Sequence, residues 1–179
     1  MKKAYKEYRR ILQSVPEFDR SDSFLVNLLS AAMLASVYLQ VEQKPSLEKV
    51  TAFYHRSMTE NPLMRLFLKK NHRYDVRAQA KVAWQAKQSQ LRTNPYTWRF
   101  RYKEGITLNT YTTYFETCGI CYLFKQLGIE EIIPAMCSYD YDMARMEGSV
   151  FTREHTLAEG GPCCDCHYEK QNKKYRSDK

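Results

Sequence analysis

The sequence predicts an α+β protein: a helical N-terminal half, then a small antiparallel sheet with two helices inserted. Three observations carry this. Through residue 92 the apolar residues recur at helical spacing. After Asn94-Pro95 the spacing drops to two, with Trp98, Phe100 and Tyr102 alternating with Arg99, Arg101 and Lys103. Near the end, Gly160-Gly161 separates two β-prone runs, as a hairpin turn would. The 179 residues are expected to form one domain, with 1–92 helical, 95–170 α+β and 171–179 a basic tail.

Helices are expected over 2–14, 22–42, 46–58, 62–70 and 75–91, with Ser21 and Ser46 as caps and Pro16, Pro45 and Pro62 at the boundaries. Residues 24–41 hold no charge, long enough to suggest a membrane span. Asn27, Ser30, Ser36 and Gln40 fall on different sides of that helix, so it reads as buried within the domain, and no membrane partner is expected. Beyond the strand at 98–103, residues 107–115 are β-prone. A helix over 118–127 ends at Gly128, and a second over 130–146 ends at Gly148. Strands over 149–158 and 163–169 close the domain.

The net charge of +8 is unevenly spread: residues 65–103 hold eleven Lys/Arg against Asp75 alone, and 11–64 with 104–168 are net acidic. That pattern suits pairing within the molecule, and with no nucleic-acid-binding motif beside it no such partner is expected. No apolar run directly follows the charged start, so the chain is expected to be cytoplasmic, with its cysteines as free thiols.

All six cysteines lie between 118 and 166, and with them the candidate chemistry. With Gly160-Gly161 as a two-residue turn, Leu157 would face Cys164, His155 would face Cys166 and Arg153 would face Tyr168. Phe151, Arg153, His155, Cys164, Cys166 and Tyr168 would then share one face, with Asp165 and His167 on the other. A face mixing Arg, His and thiols with apolar groups suits the wall of a pocket for a small anion; it would equally suit a core face with a wet edge. Thr117 would cap the 118–127 helix and place Cys118 in its first turn, where the helix dipole favours thiolate. Cys121 lies one turn on. Cys137 and Asp140, at i, i+3, would share a helix face and set a carboxylate beside a thiol. Cys118, Cys121, Cys163, Cys164, Cys166 and His167 offer ligands enough for zinc, but strand alternation would split the second group between two faces; no metal and no cofactor are expected.

The run Cys118-x-x-Cys121-x-Leu123-Phe124, then Gly128-x-x-Glu131-x-x-Pro134-x-x-Cys137-x-x-Asp140, then Phe151-x-Arg153, resembles the L-2-amino-thiazoline-4-carboxylate hydrolase family. So does Thr156-Leu157-Ala158-x-Gly160-Gly161-x-x-Cys164-Asp165-x-His167-Tyr168. Cys118, Cys137, Asp140, Arg153, Cys164 and Asp165 fall on the family's positions. Cys121, Cys163 and Cys166 look like additions; Cys166 stands where the family usually has an aromatic, and Gly119 where it often has proline. The resemblance implies ring-opening hydrolysis of L-2-amino-thiazoline-4-carboxylate to N-carbamoyl-L-cysteine. Cys118, or water held by Asp140, would attack; His155 or Cys137 would give the leaving sulfur its proton; Arg153 would hold the carboxylate. The catalytic set expected is thus Cys118, Cys137, Asp140 and Cys164, with Arg153, His155 and Tyr168 binding a small carboxylate substrate. A binding domain without catalysis and a zinc-stabilised interaction module are the alternatives.

Overall fold

The computed structural model describes residues 2–18, 22–69 and 73–171. It is α+β, as the periodicity predicts. Helices α1 (Lys2–Ser14), α2 (Leu25–Leu39), α3 (Leu47–Thr59), α4 (Pro62–Lys69) and α5 (Val76–Ser89) precede strands β1 (Phe100–Glu104) and β2 (Thr110–Phe115). Then come α6 (Gly119–Leu127), a 3₁₀ turn (Glu130–Ile132), α7 (Ile133–Cys137), α8 (Tyr139–Glu147) and β3 (Ser149–Thr152). A second 3₁₀ turn (Leu157–Glu159) leads into β4 (Cys164–Lys170). The expected cap Ser21 and most of the basic tail lie outside the described residues.

The strands form one antiparallel sheet in the order β1-β2-β4-β3. Pairings Phe100↔Phe115↔Cys164 and Tyr102↔Thr113↔Cys166 put these side chains in rows on one face. α5 packs along β1 and α8 along β3. The buried Ser89 hydroxyl joins α5 to β1, accepting from the Phe100 N–H at 3.0 Å.

α2 buries Leu28, Ala31, Ala32, Leu34, Ala35 and Tyr38, although Val26, Met33 and Val37 form an exposed stripe, so the burial expected on most of its surface holds on one side. Among the described residues no helix is long and apolar enough to cross a membrane. α2 joins α1, α3, α6 and α7 in the main apolar core, which Tyr96 and Trp98 close at the sheet side.

Two expectations need correction. The helix expected over 130–146 is a 3₁₀ turn and two helices that break at Ser138, whose hydroxyl oxygen lies 3.2 Å from the Ala135 carbonyl. The hairpin is not built on a two-residue turn. β3 stops at Thr152 with Phe151 opposite Tyr168, two residues away from the expected register. The chain then leaves the sheet because Thr156 caps the next turn, its hydroxyl accepting from the Glu159 N–H at 3.1 Å. Gly160 ends that turn at φ +80°, a backbone state that glycine adopts without strain.

Candidate active site

The cysteine-bearing segments meet at the open end of β2 and β4. Thr117 does not cap α6. Its hydroxyl accepts from the Arg99 N–H at 2.8 Å and donates to the Thr97 carbonyl, holding the strand ends together. Cys118 takes the cap position itself, with extended backbone, one residue before the helix begins. Gly119 fits against the Tyr96–Trp98 segment so closely that a Cβ there would lie 2.0 Å from the Tyr96 carbonyl oxygen.

This seating gives Cys118 an unusual environment. Its pKa is held below the ordinary thiol value, first by the hydrogen bond from the Cys121 thiol and against the cost of burial. The backbone N–H groups of Cys121 and Ile120 and the Trp98 side chain add to the effect. Cys121 moves the opposite way: sharing its proton with Cys118, and burial, hold it well above the ordinary value. Of the two sulfurs, Cys118 is therefore the more acidic and Cys121 the less.

Both open onto a cleft of about 680 Å³, within the usual range for small-molecule sites. Leu157, Ala158 and Ile133 line its apolar side; Arg92, Arg99 and Lys125 bring positive charge, with Glu116 and Glu130 also present. Arg92 is engaged by Asp22 at 3.3 Å, whereas Arg99 and Lys125 are exposed. The turn capped by Thr156 forms part of this wall, and its Leu157 N–H donates to the Cys164 sulfur at 3.2 Å.

Behind the cleft lies a second layer. Arg153 donates to the Asp140 carboxylate at 2.9 Å and to the Cys137 carbonyl at 3.2 Å. Its side chain is only 6% exposed, and its guanidinium lies 5.4 Å from the Phe151 ring centre. Burial opposes its charge most strongly, but Asp140 and the nearby Cys166, Cys137 and Cys164 together outweigh it and hold the Arg153 pKa up. Asp140 is itself raised by burial, against the pull of Arg153. Cys137 is pushed up to about 12, by burial and then by the negative charges at Cys118 and Asp140. Burial also raises Cys164 and Cys166.

Cys118, Cys137, Asp140, Arg153 and Cys164 thus lie near one another, but of these only Cys118 lines the cleft. Tyr168 sits farther along the sheet, stacked on Tyr111 at 5.0 Å with the Arg73 guanidinium 4.8 Å from its ring centre. His155 is on the wrong side for the expected pocket. It is half exposed and lies 3.8 Å from Asp165, whose carboxylate accepts from the His155 N–H at 2.6 Å. The chain turns there instead of continuing the strand alternation, which is why the expected face fails for this one residue. Asp165 is a loop anchor: burial is outweighed by the N–H groups of His155 and Glu154, and its pKa is lowered.

All six thiols are free. Among the described residues the cysteines do not bring three ligand atoms within reach of one ion; the set that does is Glu154, His155 and Asp165, on the outer side of β4. Trp98 as a partner of Cys118, and Arg99 and Lys125 as cleft cations, carry no local pattern in the sequence.

Residues 26–168 match the L-2-amino-thiazoline-4-carboxylic acid hydrolase family. No curated protein and no solved structure matched the chain. The match runs from the second residue of α2 to Tyr168, so it includes the helical half as well as the cysteine-bearing segments.

Proposed function

We propose that this chain, which belongs to the L-2-amino-thiazoline-4-carboxylic acid hydrolase family, hydrolyses a small cyclic amidine-like substrate with Cys118 as its nucleophile. By the family's name that substrate is L-2-amino-thiazoline-4-carboxylate. The observation that carries the reading is a thiol of lowered pKa, fed by a second thiol of raised pKa, at the wall of a cleft of small-molecule size.

In this reading the Cys118 thiolate attacks the ring carbon that bonds two nitrogens and the sulfur. The carbon–sulfur bond breaks, and the leaving sulfur takes the proton held by Cys121. An amidine is left on the Cys118 sulfur, and the substrate's cysteine-derived half stays attached through nitrogen. Water then attacks the same carbon and returns the thiolate to Cys118, releasing the N-carbamoyl product. One water is consumed overall: its oxygen becomes the carbamoyl oxygen, one of its protons completes the NH2 group and the other returns to Cys121, both nitrogens stay in the product, and no oxidant is needed. Arg99 and Lys125 are the cations placed to receive the substrate carboxylate at the cleft. Arg153 acts differently: tied to Asp140 and Cys137, it positions the layer behind Cys118.

The test is the order of alkylation. Iodoacetamide at neutral pH should label Cys118 before the other five thiols, and substrate should slow that labelling. Labelling that began at Cys137 or Cys164 would move the nucleophile elsewhere.

A further inference from the structure

A second set of reactive side chains lies away from the Cys118 cleft, where α3 meets the junction of α7 and α8. The Ser138 hydroxyl is 2.9 Å from His55 Nε2. His55 Nδ1 is 2.6 Å from an Asp142 carboxylate oxygen. With Nδ1–H donating to Asp142, Nε2 is left as an acceptor for the Ser138 proton. The ring is held by Tyr139, whose own ring meets it edge-on at 5.7 Å. Asp142 is further fixed by an ion pair with Arg145. Nucleophile, base and orienting carboxylate are thus in hydrogen-bond contact in that order, the relation that activates a serine on unrelated folds.

Two features keep this from being a sealed core network. The His55 side chain is 23% exposed and Ser138 is only partly buried. None of the three residues lines the Cys118 cleft. The break between α7 and α8 falls at Ser138, so the hydroxyl sits at an irregular point of the backbone.

The geometry points to Ser138, His55 and Asp142 as a second nucleophilic centre, one that accepts an activated acyl group from a small ester. Ser138 Oγ bonds to the acyl carbon while His55 Nε2 takes the hydroxyl proton. The alkoxide leaves with that proton. Water then attacks the acyl-serine, gives its proton through His55 to Ser138 Oγ, and releases the acid.

The experiment treats the full chain with a fluorophosphonate, which phosphonylates activated serines and displaces fluoride, and maps the adduct by peptide mass. The expected result is modification at Ser138. Ser138→Ala should abolish it; His55→Asn and Asp142→Asn should each slow it by at least about 100-fold. Circular dichroism checks that each variant is folded, and Asp142→Asn, nearly isosteric, serves if His55→Asn is not. No adduct at Ser138, or an adduct that forms at the wild-type rate in a folded His55→Asn or Asp142→Asn protein, would overturn the proposal and leave the three residues as a packing contact.

Discussion

At the scale of single residues, the chemistry of the cleft turns on how two neighbouring thiols share one proton. Cys121 donates to Cys118, so each sulfur moves the other's pKa in the opposite direction. Cys121→Ala removes the donor and should raise the Cys118 pKa. Alkylation below the ordinary thiol range should then slow, because a pKa higher by about one leaves about a tenth of the thiolate. The rate–pH profile of iodoacetamide labelling checks this, and an unmoved profile would contradict it. The lowered pKa also has a sign for stability. A thiol acidified by folding binds fewer protons in the folded state, so its contribution is fully present above the unfolded thiol's pKa. It is lost as pH falls through the lower folded value. The sequence singled out Cys118 because helix starts are a general source of low thiol pKa, and its pKa is indeed lowered. Its partner Trp98 was not singled out, because that contact depends on how the 94–98 turn folds back onto α6, which no local pattern encodes.

At the scale of elements, two contacts set the site. Gly119 lets α6 begin against the Tyr96 carbonyl, and Gly119→Ala would force a Cβ to 2.0 Å from that oxygen. α6 must then move. The expected cost is about 1–3 kcal/mol, read as a lower denaturant midpoint, with slower Cys118 labelling because the sulfur leaves its donors. The other contact is Arg153, which ties the loop after β3 to α7 and α8. Arg153→Met leaves Asp140 without its cation. Because 32% of the Asp140 side chain is accessible, water offsets part of that loss, and the expected cost is about 1–3 kcal/mol by equilibrium unfolding. The hairpin shows where element-level reading stopped. Alternation placed Phe151, Cys164, Cys166 and Tyr168 on one face correctly, since a two-residue slip in register leaves faces unchanged. Thr156 and Glu159 form a helix-start signature that competes with strand, and it takes His155 off that face.

At the scale of the whole molecule, the uneven charge has a structural counterpart. Arg73, Arg92 and Arg101 of the basic middle pair with Glu147, Asp22 and Glu116, acids from outside that segment. The α+β order was legible because the change from helical to twofold spacing is abrupt at Asn94-Pro95. The strand order β1-β2-β4-β3 was not, since it depends on β4 pairing with both neighbours. That order brings the end of β2, the start of α6 and the Thr156 turn together, and with them the cleft in which Cys118 faces its proposed substrate. The most direct test is turnover of L-2-amino-thiazoline-4-carboxylate, followed as N-carbamoyl-L-cysteine formed by wild-type protein and by a folded Cys118→Ser variant. Product is expected from the wild type, with a loss of at least about 1,000-fold in the variant. A wild type that forms no product would rule out this substrate, and a Cys118→Ser variant that forms it at the wild-type rate would rule out Cys118 as the nucleophile.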